Sequence, residues 1–225
     1  FAVVTSDLFP QIGTCLDIAT IECSFGICDM QATELRAADW DAPATSAAAS
    51  LLPRSFAGKK VLVLHLIRDQ ALAKAQSLPE RFDRPSAVWV ASSKQEVETA
   101  GALLSLAHRR AAATLAGGSS VVVVKPHIIS GKRGGEAVQA LLDACPQVEL
   151  AALSQMTFST ARADEYMQPY KGVLAEYRAT VEQIAASACW VLQLVPARGG
   201  SDAVVPVREA IGPFDPAIAK VLRPK

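Results

Sequence analysis

Apolar positions along the chain fall into short strand-like runs separated by helical stretches, and the order of these runs repeats. Ser119–Lys125 is β-branched at four successive positions and predicts a central strand. Arg109–Gly118 before it is small and Gly-ended, which predicts a linker and divides the chain near residue 112. The two sides then correspond element by element. Ala2–Thr5 matches Val122–Lys125 as a first strand, and helices follow over Gly13–Cys23 and Gly134–Ala144. Second strands are predicted at Phe25–Met30 and Val148–Leu153, and third strands at Lys60–Leu66 and Trp190–Val195. Each third strand leads into a helix opened by an Asp cap, Asp69–Leu78 and Asp202–Ile211. A fourth strand, Ala87–Ala91, and a helix from Lys94 to about Ala107 are read in the first half alone.

This order predicts an α/β (α+β) protein of two tandem ferredoxin-like βαββαβ domains, antiparallel sheets with helices on one face. The boundaries are 1–107 for the first domain, 108–118 for the linker and 119–225 for a second, incomplete domain. A helical insert separates the second and third strands. It is strongly helical over Ala161–Ser187 and is expected to be short or irregular over Glu34–Ser55, which is rich in Ala, Ser and Pro. Val61–Leu66 and Val121–Val124 are continuous apolar runs, so both are expected to be central and nearly fully buried.

Composition narrows the function classes. Lys plus Arg and Asp plus Glu are each 22, so no basic face for nucleic acid or anionic membrane is expected. No apolar run approaches the ~20 residues of a membrane helix, which predicts a soluble, cytoplasmic protein. Cys15, Cys23, Cys28, Cys145 and Cys189 form no CxxC pair, so neither zinc nor a disulfide framework is expected, only buried free thiols. The chain opens on Phe1 in a strand-like run and closes at Lys225 without a terminal element, and is read as an excerpt of a longer polypeptide.

Several residues invite chemistry and have plainer readings. Gly131–Gly135 looks like a phosphate cradle but lacks Walker spacing, so a loop opening a helix is expected. His127 follows a strand and is tempting as a nucleophile. His65 is expected to be half-buried, and His108, Arg109 and Arg110 to form a solvated helix end that suits the dipole. Trp89 and Trp190 read as core.

The second half resembles the nucleoside diphosphate kinase family. The resemblance rests on Val122–Pro126, on Tyr170-Lys-Gly-Val173 in the insert, and on the string Arg208–Pro216 with its Gly and Asp-Pro turn. Its YKGV form is similar to the divergent, multi-domain members of cilia and flagella. The first half resembles the family more faintly, through Trp89–Ala100 and Leu104–Leu106. The family's chemistry, as the resemblance implies it, is ping-pong phosphoryl transfer through a phosphohistidine, with a Lys, two Args, a Thr and Mg²⁺ holding the phosphates.

Mapped residue by residue, the first half has lost that chemistry. The family's strand-end Lys falls on Thr5, a phosphate-binding Arg on Gln76, the Asn on Trp89 and the catalytic His on Ser92. In the second half Lys125 and Arg208 match phosphate contacts and are the candidate nucleotide-binding residues. His127 stands where the family has an Asp, Phe214 where it has the Thr, and the base-stacking aromatic falls near Ala175. No catalytic or metal residue is therefore assigned, and no cofactor is expected unless the second domain binds Mg²⁺ and a nucleoside triphosphate. The resemblance implies a non-catalytic scaffold in a large assembly, with axonemal or microtubule-associated protein partners, no nucleic acid and no membrane. Two alternatives stay open: a kinase whose catalytic His lies beyond Lys225, and a nucleotide-sensing module. Two fused domains are also expected to satisfy one family interface within the chain, as a pseudo-dimer.

Overall fold

In the computed structural model, which describes residues 1–41, 46–111 and 117–212, seven strands make one antiparallel sheet. The first half runs β1 (Ala2–Thr5), α1 (Ile12–Asp17), β2 (Gly26–Glu34), α2 (Ser46–Ala49), β3 (Lys60–Ile67), α3 (Ala71–Ala75), β4 (Val88–Val90) and α4 (Lys94–Ala111). The second runs β5 (Ser120–Val124), α5 (Pro126–Ser130), α6 (Gly134–Ala144), β6 (Val148–Thr157), α7 (Thr160–Met167), α8 (Tyr177–Ala185), β7 (Ala188–Pro196) and α9 (Val204–Ile211). The strand order is β4-β1-β3-β2-β6-β7-β5. Read outward from the middle, β2-β3-β1 on one side mirrors β6-β7-β5 on the other, and β4 adds a fourth strand beyond β1. Register follows the same symmetry, with Val3 opposite Val63 and Val123 opposite Val191.

Alternation along the strands sorts side chains onto two faces. Ala2, Val4, Leu62 and Leu64 enter one core, which continues through Leu16 and Val138 to Leu153, Leu192 and Leu194 of the second half. Val3, Val61 and Val63 point the other way, into a second cluster closed by Leu103 and Leu104 of α4 and by Trp40 and Phe56. Helices therefore cover both faces of the sheet, not one as the sequence suggested. A strand buried on both sides reads as an unbroken apolar run, which is how Val61–Leu64 reads.

The halves meet in the sheet and on the helices. β2 and β6 share one ladder pair, Gln31 with Ser154, beside an irregularity in β2 between Ile27 and Asp29. The Gln155 side chain takes up the carbonyls freed there, its Nε2 donating to Cys28 O at 2.8 Å and Ile27 O at 3.3 Å. Its Oε1 accepts from the Trp190 indole at 3.2 Å. Above this seam α1 packs on α6 at close backbone range. A Cβ at Gly13 would lie 2.5 Å from the backbone nitrogen of Gln139, so only glycine fits. Gln139 also donates to Pro10 O at 3.0 Å across the same contact.

Several expectations need correction. Val121–Val124 is not central: β5 is the sheet's last described strand, and Val121 is exposed. Val122 and Val124 pack into one apolar cluster and Val123 against another, so the run reads like a central strand although β5 is last in the strand order. Asp69 does not cap α3; the helix starts at Ala71 after Gln70 in the left-handed region, with φ 57°. The helix expected to end near Ala107 runs to Ala111, inside the expected linker. Arg110 is not solvated, because it reaches the nearly buried Asp39. Cys28 is exposed, whereas the other four thiols are buried, and burial first and the Asp83 charge second push Cys15 up to about 12. By contrast α6 occupies the expected residues, and Asp202 caps α9 by accepting from the N–H groups of Val204 and Val205, each at 3.0 Å. The insert is short and irregular in the first half and an α7–α8 hairpin in the second. His65 is half-buried and stacks on Phe1 with ring centroids 4.5 Å apart. No described helix is long and apolar enough to cross a membrane.

Candidate functional site

In the first half the residues that the resemblance maps onto the phosphate site make structural contacts. Thr5 is fully buried at the end of β1, and its hydroxyl donates to Asp7 Oδ2 at 3.1 Å. Asp7 also takes Lys59 Nζ at 2.5 Å, and that hydrogen bond is the main reason its carboxyl lies below the usual range. Lys59 is thus committed to a carboxylate. Gln76 Nε2 donates to Ala91 O at 3.1 Å, tying α3 to the exit of β4.

Ser92 opens α4. Its N–H and its hydroxyl both donate to Glu96 Oε2, at 2.6 and 2.8 Å, while the Glu96 N–H donates to Ser93 Oγ at 3.1 Å. Side chains one turn apart thereby satisfy backbone donors at a helix start. The Ser92 N–H bond, followed by its hydroxyl bond, holds Glu96 below the usual carboxylate range. A carboxylate so stabilised as the anion is a weak base, so it leaves Ser92 unactivated. Register also separates the mapped positions. Ala91 N donates to Phe1 O, so Ser92 sits by the first residue of β1's edge while Thr5 ends that strand, roughly 13 Å away along an extended chain.

In the second half Lys125 follows β5 and is partly buried, with Nζ 3.5 Å from Gln183 Oε1 on α8. Its charge also acts on Cys189, a thiol pushed up by burial and drawn part of the way back by the ammonium. Arg208 lies on the exposed side of α9, next to buried Val207. The start of α9 is bound at the opposite end of β5 from Lys125, where Ala203 N donates to Gly118 O at 2.8 Å. His127 is exposed on the short α5. Phe214, Asp215 and Pro216 lie outside the described residues, as do Ala112–Ala116 of the expected linker.

The glycines of Gly131–Gly135 make contacts between elements. A Cβ on Gly134 would meet the Trp190 ring, and one on Gly135 would meet the Gly13 carbonyl and Asp17. Arg133 at the cap of α6 pairs with Glu136 at 2.9 Å. The α6 amides therefore face protein, as the plainer reading expected.

Ala175 is exposed in the turn before α8 and supplies no ring. Tyr166 and Tyr170 do carry exposed rings on the α7–α8 hairpin, beside the 80% exposed Val173 at its tip. Their spacing of four along a helix end was the available sequence signal. Among the described residues no three His, Cys, Asp or Glu side chains converge as metal ligands.

No protein-family profile matches the chain. Over 103 residues it is 33% identical to nucleoside diphosphate kinase homolog 7 of Rattus norvegicus, covering 46% of this chain and 25% of that protein. The homologous protein of Mus musculus is 32% identical over the same length and share. The matched stretch spans about a quarter of the length of these curated relatives. With the antiparallel α/β architecture, these similarities make the chain nucleoside diphosphate kinase-like over under half of its length.

Proposed function

We propose that these residues form a non-catalytic structural unit, two tandem nucleoside diphosphate kinase-like halves used for their surfaces. The observation that carries this reading is Ser92. It occupies the position of the family's catalytic His, cannot form a nitrogen–phosphorus bond, and spends both donors on Glu96. Thr5 and Gln76 support it, since neither brings the positive charge that a triphosphate tail requires. The fused halves act as an internal pseudo-dimer, with 1–107 and 119–225 as the two domains. The setting we propose is a large protein assembly of the ciliary or flagellar axoneme, by resemblance to the divergent members of that type.

The test is transfer of labelled γ-phosphate between nucleotides, with a parallel search for acid-labile phosphohistidine. Neither is expected from this chain, and transfer carried by His127 or Ser92 would overturn the reading. Co-purification with isolated axonemes checks the setting; a tagged protein absent from them would remove it. A second reading, nucleotide sensing without transfer, is favoured by the retained Lys125, with Arg208 as its second positive charge. A titration with Mg²⁺ and a purine nucleotide separates it from a scaffold that binds none.

A further inference from the structure

Asp17, the last residue of α1, is a titratable group at the seam that the proposed function leaves unused. Its Oδ1 is buried and has no hydrogen-bond partner. The carboxyl faces the first turn of α6, where Arg133 stands at the cap position and makes no side-chain cap. Gly135 leaves it no slack, because a Cβ there would collide with Oδ1 itself. The first half thus inserts a carboxyl into the uncapped start of a helix belonging to the second.

Two opposed effects act on it. The N–H groups of Gly135 and Glu136 favour the anion, as helix N-termini do. Burial disfavours it and dominates, and the Glu136 charge adds to burial, so the carboxyl lies above its usual range. Several charged groups on the packed elements are engaged elsewhere. Arg133 holds Glu136, and Asp143 accepts from Gln139 Nε2 at 2.8 Å. Asp7, in the turn before α1, binds Lys59, and Glu22, in the turn after it, lies 3.9 Å from Arg81.

We propose that Asp17 is a proton-linked latch between the two halves: one proton taken from solvent onto this half-buried carboxyl removes a charge whose Oδ1 is buried without a hydrogen-bond partner, and tightens α1 on α6. A carboxyl raised in the folded state contributes most stability below its unfolded value, and loses it as pH rises through the folded one. Acidification from neutrality therefore strengthens the seam until the ordinary carboxylate range is reached.

The experiment is urea unfolding of the full chain and of Asp17→Asn between about pH 7 and about pH 4. At the upper end the wild type should unfold with a several-fold larger equilibrium constant than the Asn variant. The ratio should fall towards one at the lower end. A ratio that stays constant across the range overturns the proposal. If Asp17→Asn does not fold, the carboxyl ¹³C signal of Asp17 in the wild type decides. A midpoint above the ordinary value of about 3.9 sustains the latch, and one at or below it overturns the latch. Amide exchange at Gly135 and Glu136 locates the effect, since protection gained on acidification must appear there.

Discussion

Arg110 forks onto Asp39 across 71 positions of sequence, with Nη1 2.9 Å from Oδ2 and Nη2 2.6 Å from Oδ1. Nη1 also donates to Glu34 O at 2.7 Å, so one guanidinium fastens the end of α4 to the end of β2. The Asp39 side chain is only 6% exposed, and the Arg110 hydrogen bond holds its carboxyl below the usual range. Arg110→Ala takes the guanidinium away from that nearly buried anion, which keeps the Arg36 N–H at 2.8 Å, and should cost about 2–3 kcal/mol, just under the penalty for breaking a fully buried pair. Arg110→Lys should recover only part, because an ammonium cannot reproduce the fork. The pair's contribution is present above the ordinary carboxylate pKa and is lost as pH falls through the depressed one. Urea midpoints at neutral and acid pH check both statements; an Arg110→Ala deficit that persists unchanged in acid would contradict them.

Glycine substitutions should split by environment. Gly13→Ala and Gly135→Ala push a methyl group into the α1–α6 crossing and should destabilise by about 1–3 kcal/mol. Gly101→Ala, in the middle of α4 with open space around it, should stabilise by about 0.5–1 kcal/mol. Thermal midpoints that rise for all three variants would show that the crossing is looser than described.

Gln155→Ala strips the seam of its amide bridge and leaves the Trp190 indole N–H and the Cys28 carbonyl without their partner. The expected cost is about 1–3 kcal/mol. Tryptophan emission should shift as the indole loses its acceptor. An unaltered spectrum with unaltered stability would mean that water replaces the amide without penalty.

Ser92→His should not create a kinase. The new imidazole would sit at the start of α4, with neutral Thr5 and Gln76 in place of the charges that hold a triphosphate. The expected results are no nucleotide transfer and a loss of about 1 kcal/mol from the disrupted helix start. Appearance of phosphohistidine in this variant would show that the remaining site is more complete than its residues indicate.

Lys125→Ala with Arg208→Ala should remove whatever weak nucleotide affinity the second half has, with little change in folding. Calorimetric titration with and without Mg²⁺ measures the first, and urea unfolding the second. Binding that survives the double change would place the nucleotide elsewhere.

Legibility in the sequence followed local physics. α6 and α9 could be read because helical periodicity and the Asp202 cap are encoded within a few residues. β3 could be read because burial on both faces leaves an unbroken apolar run. The place of β5 could not, since Val121–Val124 looks the same at an edge as at the centre, and only pairing partners distinguish them. Arg110 reads as a solvated helix end for a related reason: its partner Asp39 lies in the irregular insert, beyond any window of helical spacing. The loss of charge at Thr5 and Gln76 was visible residue by residue. The uses found for those side chains, and the Asp17 and Gln155 contacts, depend on which elements meet.

The core that runs unbroken from Leu62 to Leu192 sets a schedule for synthesis. As the chain leaves the ribosome, β1, β3 and α1 are complete long before α6, β6 and β7 exist. Through that interval the glycine face of α1 and the free side of β2 have nothing to rest against, and unpaired strand edges are where nascent chains associate wrongly. Slowing elongation after the first half should therefore lower the soluble yield, whereas adding time after Pro196 should not.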